Sequence, residues 1–493
     1  MASYDYDLVV IGGGAAGLTS SGIGATFGAK TLMVERARLG GDCTWYGCIP
    51  SKTLLKSAKV AHHMRHASQF GLIDQTPQFD FKTLMNHVRA IREDVYEEAD
   101  DPKIYEDMGI DVRFGEARFV DPHTISLKTD SGSEAITGRL FIVAAGASAF
   151  VPPIEGIREV PYLTNESLFE LEEQPQHLAI VGGGPIGTEM AQAFVRLGSQ
   201  VTVIDRGQNI LRKDDPELAK ILQAQLEAEG ITYLFGAGVE KATKAESGGV
   251  QLHVKQKDGT THVVEADQVL LATGRRANVS TLDLERAGVA YTGQGITVND
   301  RCQTNVSHIY AVGDITGRYQ FTHMSEHMAK VASTNALLKV PMRIGKKHVP
   351  WVTFTDPEIA HVGATQAELD KAGTSYEVYR FPYTKVDRAL AENETTGWIK
   401  VYAKRFNGKI LGADILGAAA GELISEYGLA MRNGVTLRQM SDTIHAYPTY
   451  GLAARRAADQ WYIKKQSTFL PKVLQAVFGY KGPIIEPDPD RII

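Results

Sequence analysis

The sequence has little cysteine, with three residues in a chain of 493. So few cysteines exclude a disulfide-stapled secreted scaffold and favour a reducing cytosol. It also lacks any apolar run of about 18 residues, so no transmembrane helix is expected. No basic region precedes the first apolar stretch, which argues against a secretory signal. The formal net charge of −6 argues against a nucleic-acid partner. Together these absences predict a cytoplasmic protein.

The composition that remains is that of an ordinary globular protein. Hydrophobic residues make up 43% of the chain and charged residues 22%, both typical of soluble domains. At roughly 100–200 residues per domain, the length suggests about three domains.

Two of the three cysteines lie five positions apart, in the run from Gly40 to Lys52. In a regular helix, positions five apart rise about 7.5 Å, whereas a disulfide needs Cα atoms roughly 4.4–6.8 Å apart. If Cys43 and Cys48 pair, the turn between them must be distorted. Gly47 permits such a turn, and Pro50 can begin regular helix beyond it.

Lys52 follows Cys48 by four residues, on the same face of a helix. Its ammonium group would favour the thiolate form, which carries redox chemistry. The alternative is that these are two ordinary buried cysteines.

A glycine-rich turn follows the first apolar strand. Residues 8–11 are apolar, a glycine-rich run from Gly12 to Gly17 comes next, and a small-residue helix leads to a second strand that ends at Glu35. Glycines let the backbone approach a pyrophosphate at the helix N-terminus, and the acid binds ribose hydroxyls. This order of elements predicts a dinucleotide site.

The same unit occurs a second time, from residue 178. Its glycine run begins at Gly182 and its second strand ends at Asp205. Glu35 lies 23 positions after Gly12, and Asp205 lies 23 positions after Gly182. Two dinucleotide sites are what an enzyme that passes electrons between two cofactors requires. Because a carboxylate suits a free ribose 2′-hydroxyl, Asp205 favours NADH over NADPH, although Arg206 is adjacent.

Further strands end in glycine or aspartate. Apolar runs end at Gly146 and Gly274, and the strand from Ile309 leads to Asp314. We expect the carboxylate of Asp314 to be buried and to accept hydrogen bonds from a sugar hydroxyl.

Cys302 stands alone and is expected to be a small core residue. From about residue 347 the chain is rich in β-type segments without a glycine fingerprint, which indicates an interface domain.

Four histidines cluster between residues 58 and 108, namely His62, His63, His66 and His87. They could bind a metal, but no cysteine or carboxylate completes a ligand set at fixed spacing. We interpret them as solvated helix positions and predict no metal site.

These motifs resemble those of the flavoprotein pyridine nucleotide-disulfide oxidoreductases, which include dihydrolipoyl dehydrogenase, glutathione reductase and mercuric reductase. The resemblance extends to about Tyr462. It implies an α/β fold with two Rossmann-like domains, for FAD and NAD(P)H, and a C-terminal α+β dimerisation domain. The implied boundaries are 1–150 and 277–346 for FAD, 151–276 for NAD(P), 347–465 for dimerisation and 466–493 for a C-terminal extension.

The resemblance also implies roles for residues. Cys48 would face the flavin, Cys43 would meet the substrate, and Lys52 and Glu189 would lie near flavin and nicotinamide. The implied protein is a homodimer whose active site uses both subunits. The expected cofactor-binding residues are Gly12, Gly14, Ala15, Gly17, Glu35, Gly41, Lys52, Gly146, Gly182, Gly184, Gly187, Asp205, Gly274 and Asp314.

The sequence departs from the family near residue 447. Disulfide-reducing members carry a catalytic histidine where this chain has Tyr447, and a glutamate where it has Leu452; His445 lies two residues early. A histidine with a pKa of about 6.5 exchanges protons readily at neutral pH, whereas a tyrosine with a pKa of about 10 does so poorly. Mercuric reductase resembles this chain in its tyrosine, but adds a C-terminal cysteine pair that this sequence lacks.

Three functions remain as alternatives. The first is an FAD-dependent NAD(P)H oxidoreductase that reduces a small disulfide or a soft metal ion, as mercuric reductase does. The second is a dihydrolipoyl dehydrogenase with His445 as a substitute base. The third is a non-catalytic flavin-binding partner protein that docks through its tail.

The tail carries an apolar stripe at helical spacing. The stripe consists of Phe469, Leu470, Val473, Leu474, Val477 and Phe478. It is too short to span a bilayer. We expect it to pack on the enzyme's own surface; the alternative is weak docking to a membrane surface or a partner, with lysines beside it.

Overall fold

The computed structural model describes residues 3–246, 248–465 and 468–486. These residues form two units. The first contains the chain up to Arg65, Thr76–Arg206 and Thr232–Gly345; the second contains His66–Gln75, Gly207–Ile231 and the chain from Lys346 on. Both glycine fingerprints lie in the first unit. The finer division into FAD, NAD(P) and dimerisation domains therefore stays a prediction.

A mainly parallel sheet surrounds the first fingerprint. Its strands are β1 (Tyr6–Ile11), β2 (Thr31–Glu35), β3 (Asp111–Phe114), β4 (Glu116–Asp121), β5 (Thr124–Thr129), β6 (Gly132–Val143) and β19 (Ile309–Ala311). The order is β3-β2-β1-β6-β5-β4, with β19 also paired to β6. Strand β1 pairs in parallel on both edges. Its apolar run is buried for that reason.

Helices cover and extend this sheet. They are α1 (Ala15–Thr26), α2 (Gly41–Tyr46), α3 (Cys48–Arg65), α4 (Phe81–Val95), α5 (Pro102–Asp107) and α9 (Thr322–Ser333). The region between residues 58 and 108 is mostly helical, as its polar pattern predicted, with a non-helical stretch at 71–80. Cys302 is fully buried, which confirms it as a core residue.

The second fingerprint has its own parallel sheet. Strands β8 (Tyr162–Leu163), β9 (His177–Val181), β10 (Gln200–Asp205), β11 (Thr232–Phe235) and β15 (Gln268–Leu271) run in the order β11-β10-β9-β15-β8. Helices α6 (Asn165–Leu168) and α7 (Pro185–Leu197) accompany it. An antiparallel sheet is formed by β12 (Ala237–Lys244), β13 (Val250–Gln256) and β14 (Thr261–Ala266). Two short pairs complete the first unit, β7 (Ala147–Ala149) with β16 (Arg275–Ala277) and β17 (Tyr291–Thr292) with β18 (Gly295–Ile296).

The second unit is built on an antiparallel sheet of order β20-β21-β24-β23-β22. The strands are β20 (Pro350–Thr353), β21 (Glu358–Gly363), β22 (Glu377–Pro382), β23 (Trp398–Ala403) and β24 (Ile410–Gly417). Its helices are α8 (Pro216–Ala228), α10 (Gln366–Lys371), α11 (Asp387–Ala391), α12 (Ala420–Arg432), α13 (Leu437–Asp442), α14 (Gly451–Ile463) and α15 (Phe469–Phe478). The predicted α/β fold with a β-rich C-terminal region is thereby confirmed.

A buried polar network fixes α8 to this sheet. Lys400 Nζ lies 2.6 Å from Asp215 Oδ2, and the Tyr402 hydroxyl lies 2.7 Å from Asp414 Oδ2 and 3.1 Å from Asp215 Oδ2. His361 Nδ1 lies 2.6 Å from the other Asp414 oxygen. Burial opposes a charged His361, but the Asp414 carboxylate outweighs it and raises the histidine pKa. Since every member has a partner, the network can remain charged inside the unit.

The tail forms the predicted helix, α15, but none of its residues is buried. The expectation that its apolar stripe packs on the enzyme's own surface is therefore wrong for the described residues. Among these residues no helix is both long enough and apolar enough to cross a membrane.

Candidate functional site

The redox segment follows β2 directly. Helix α2 ends at Tyr46, Gly47 breaks it at φ −128° and ψ −105°, and α3 begins at Cys48. The turn between the two cysteines is therefore distorted at Gly47, as the hypothesis that they can pair requires. The helix begins two residues before Pro50, not at it. This is possible because Pro50 falls in the first turn, where a missing N–H costs nothing.

The pKa values of the two thiols are shifted in opposite directions. The hydrogen bond that Cys48 accepts from Cys43 lowers the pKa of Cys48 to about 6, and Thr322 and Lys52 act in the same direction, against burial. The same hydrogen bond, helped by burial, raises the pKa of Cys43. Cys48 is therefore the thiolate of the reduced pair at neutral pH, and Cys43 the thiol.

Two further contacts surround Cys48. Its Sγ lies 3.5 Å from Thr322 Oγ1 at the start of α9. Lys52 Nζ, one helical turn after Cys48, lies 2.9 Å from Glu189 Oε2 on α7. Lys52 and Glu189 were predicted as a pair, and the structure brings them together. Nothing in the sequence pattern singled out Thr322, because it lies 274 positions away.

Asp42, the residue before Cys43, is held from two sides. Its carboxylate accepts from Asn165 Nδ2 at 2.9 Å and pairs with Arg275 Nη1 at 2.8 Å. Its negative charge raises the pKa of both cysteines, as one of the smaller effects on each. Sequence patterns did not reveal Asp42, Asn165 or Arg275; the position of Arg275 directly after Gly274 was the one available signal.

The first glycine turn has the geometry of a phosphate cradle. Gly12 has φ +111°, and a Cβ there would lie 2.4 Å from the Ala144 carbonyl oxygen. Gly41 approaches Gly14 so closely that a Cβ would lie 2.8 Å from the Gly14 Cα. Glu35 accepts a hydrogen bond from the Gly13 amide at 2.7 Å. This glycine turn at the N-terminus of α1 fits a dinucleotide.

The second turn repeats this geometry. Gly182 has φ +115°, and a Cβ there would lie 2.4 Å from the Ala272 oxygen. Asp205 accepts from the Gly183 amide at 2.7 Å. A Cβ at Gly184 would meet nothing within 4 Å, so the space above the start of α7 is open.

Asp314, which is expected to bind a sugar hydroxyl, lies beside Arg275. Burial raises the pKa of Asp314 to about 6, with Arg275 opposing. Arg275 Nε is 3.4 Å from the Asp314 carboxylate but is buried without a hydrogen-bond partner among the described residues. A buried polar atom without a hydrogen-bond partner is consistent with a polar ligand that binds there. Gly146 and Gly274 also have positive φ, at +65° and +117°.

Tyr447 and His445 lie in the second unit. The Tyr447 side chain is 69% exposed. His445 contacts the Thr443 carbonyl through Nδ1 at 3.0 Å and Glu426 Oε1 through Nε2 at 2.9 Å. Both ring nitrogens are thus occupied within the chain, and His445 would have to leave one partner to accept a substrate proton.

Comparison with known proteins agrees with this geometry. The family model described as "Pyridine nucleotide-disulphide oxidoreductase" matches residues 6–329, and the dimerisation-domain model of the same family matches residues 349–458. The chain belongs to the pyridine nucleotide-disulphide oxidoreductase family. It is therefore an FAD-dependent oxidoreductase that uses NAD(P)H, and its dimerisation domain supports a homodimer. The residues described above fit both cofactors, and FAD when bound would carry electrons between the nicotinamide and the cysteines.

Individual relatives share most of the chain. It is 35% identical to mercuric reductase from Staphylococcus aureus over 92% of this chain and 82% of that one. It is 33% identical to dihydrolipoyl dehydrogenase from Bacillus subtilis, over 92% of this chain and 97% of that one. Among solved structures it is similar to the Cu(II) complex of RclA, an HOCl-induced flavoprotein disulfide reductase from Escherichia coli. That likeness has a TM-score of 0.82 and 28% identity and covers 93% of this chain and 99% of that one. The alternative of a non-catalytic flavin-binding protein finds no support in these relatives.

Proposed function

We propose that this enzyme uses NAD(P)H and FAD to reduce a soft metal ion, or more slowly a small disulfide, through Cys43 and Cys48. The surroundings of Cys48 carry this proposal, because its contact with Thr322 and the nearby Lys52–Glu189 pair favour one thiolate in the reduced pair. With Cys48 already a thiolate, a soft cation that binds both sulfurs has to displace only the proton of Cys43.

Two residues of the second unit favour a metal ion over an ordinary disulfide as the electron acceptor. Reducing a disulfide releases a thiolate that must be protonated, and this is the task of the family's histidine. Tyr447 stands in that position, and His445 has both nitrogens engaged. A metal ion that accepts electrons leaves no thiol to be protonated. The names of the mercuric reductases and the Cu(II) complex of RclA point in the same direction.

In this proposal each residue of the first unit has one role. Cys43 meets the acceptor, and Cys48 holds the thiolate on the flavin side. Lys52 stabilises that thiolate, while Glu189 fixes Lys52. An exposed Tyr447 would serve the active site of the second subunit, where its hydroxyl could position the metal ion near Cys43. The proposed cofactor contacts are those of the two glycine turns with Glu35, Asp205 and Asp314.

Steady-state turnover of four acceptors tests this function. The acceptors are mercuric ion, Cu(II), lipoamide and glutathione disulfide, each with wild type, Tyr447→Phe, Tyr447→His and His445→Ala. Since general acid–base catalysis contributes roughly 10²–10⁴-fold, both disulfides should turn over slowly in wild type and faster in Tyr447→His. Fast lipoamide turnover that survives Tyr447→Phe but is lost in His445→Ala would overturn the proposal and make His445 the base.

A further inference from the structure

A basic turn with an exposed aromatic side chain joins β23 to β24. The turn contains Lys404, Arg405, Phe406 and Lys409, and Phe406 is 88% exposed. Gly408 closes it with a left-handed φ of +67°, and its amide donates to the Lys404 carbonyl at 2.9 Å. A phenylalanine held exposed at a fixed turn would gain hydrophobic free energy if another surface covered it.

The turn is held rigidly against the end of α14. Trp461 Nε1 donates to the Arg405 carbonyl at 3.2 Å, and Lys465 Nζ donates to the Phe406 carbonyl at 2.6 Å. Lys465 also lies over the Trp461 ring, 3.6 Å from its centroid. These contacts fix the backbone of Phe406 and leave its ring outside. The basic turn and the lysines at the end of α14 therefore form one surface.

Helix α15 continues the chain beyond this surface with a mostly apolar circumference. Phe469 is 72% exposed, Val477 66% and Phe478 63%. Lys472 and Gln475 are its polar residues. At about 1.5 Å per residue its ten residues span about 15 Å, half of a bilayer's apolar core. Such a helix is suited to lie in an interface and not to cross it.

Charge in this region has the opposite sign to the chain as a whole. No aspartate or glutamate occurs between Asp459 and Glu486, whereas four lysines do, at 464, 465, 472 and 481. The basic turn adds three more cations, of which Arg405 pairs with Glu377 at 3.3 Å. The chain overall carries −6. The family model ends at residue 458, so α15 is additional to the matched domains.

We propose that the basic turn, the end of α14 and helix α15 form a docking surface for an anionic membrane. Lysines would pair with lipid phosphates while Phe406 and the apolar side chains of α15 enter the headgroup boundary. Two copies of this surface repel each other face to face because they carry the same charge. A lipid surface offers opposite charge and an apolar layer together.

Vesicle co-sedimentation of the full-length holoenzyme tests the proposal. The probes are phosphatidylcholine vesicles with and without phosphatidylglycerol, at low and high NaCl. Phe406→Ser, Lys404→Glu with Lys409→Glu, and truncation after Lys465 should each weaken binding to anionic vesicles about tenfold or more. NADH turnover in solution should stay unchanged. Val263→Ser, at an exposed position of β14, and Lys257→Glu, at an exposed position directly after β13, are matched controls that should bind like wild type.

Several results would overturn it. Wild type could fail to sediment with anionic vesicles, or bind neutral and anionic vesicles equally. Truncation could lower the melting temperature, which would show a structural tail, or abolish an assembly larger than the dimer, which would make a second copy the occupant. Phe406→Ser keeps α15 intact, so it separates loss of docking from loss of the tail's structure.

Discussion

The two glycine turns have nearly the same backbone geometry. Gly12 and Gly182 have φ values of +111° and +115°. In both, the acid at the end of the second strand accepts a 2.7 Å hydrogen bond from the second glycine of the turn. A Cβ at Gly17 or Gly187 would lie 1.7 or 1.9 Å from the carbonyl oxygen of the first glycine. The equal 23-residue spacing in the sequence reflects equal backbone geometry.

The turns differ in the segment that comes directly after the acid. After Glu35 the chain enters the redox segment, and Gly41 passes directly over Gly14. After Asp205 comes an exposed Arg206, and the chain leaves the first unit. The repeated frame thus provides two places for a dinucleotide, whereas reactivity comes from the segment inserted after the first. Binding geometry and redox chemistry should therefore be separable by mutation.

Of the changes proposed here, a side chain added at the second glycine turn should lower activity most. Gly187→Ala places a methyl group 1.9 Å from the Gly182 oxygen and forces α7 away from β9. We expect kcat/KM for NADH to fall by about 100-fold or more, as a displacement of about 1 Å can do, while the protein remains yellow. Flavin absorbance and NADH kinetics measure the two sites separately.

Gly184→Ala is the matched control, because its Cβ meets nothing within 4 Å. It should keep the wild-type melting temperature, and any loss should appear in KM for NADH. If Gly187→Ala also releases the flavin, the two turns are not independent.

Changing the acid of the second turn should have a smaller effect on nucleotide choice. We expect wild type to favour NADH, because Asp205 is buried and held in place while Arg206 is exposed. Asp205→Asn should shift the preference toward NADPH by about tenfold through loss of the charge repulsion. The ratio of kcat/KM values measures this, with Arg206→Ala as the opposing variant. A wild type that already prefers NADPH would show that Arg206 dominates.

The charged groups of Lys52 and Asp42 should change the reactivity of the Cys48 thiol only severalfold. Because the pKa of Cys48 is lowered to about 6, its thiolate should persist above that pH and be lost as the pH falls through it. Lys52→Met removes a group that lowers this pKa and should move the midpoint up; Asp42→Asn removes one that raises it and should move the midpoint down. Alkylation rate of the reduced enzyme against pH measures both shifts. Midpoints that move together would exclude a charge effect.

The sequence predicted the features that depend on local pattern. Strand, glycine turn and terminal acid occur in a fixed order, so both sites and the broken helix at Gly47 could be inferred from the printed residues. The position of Cys302 in the core was inferred from its isolation. These features need only neighbours in the chain.

It could not predict the features that depend on distant contacts. Thr322 beside Cys48 and Arg275 beside Asp42 come from segments more than 200 positions away. The occupied nitrogens of His445 depend on Glu426 from α12. The apolar stripe of α15 predicted a helix correctly, but periodicity does not identify the surface that covers it.

Anaerobic titration of the holoenzyme with NADH tests the central claim most directly, that electrons leave through Cys43 and Cys48. Wild type should consume one equivalent of NADH for the flavin and a second for the disulfide, because each is a two-electron couple. Two thiols should then become available to a thiol reagent. Cys43→Ser should consume only the first equivalent and lose acceptor reduction while its flavin is still reduced. Equal NADH uptake by wild type and Cys43→Ser would contradict the account.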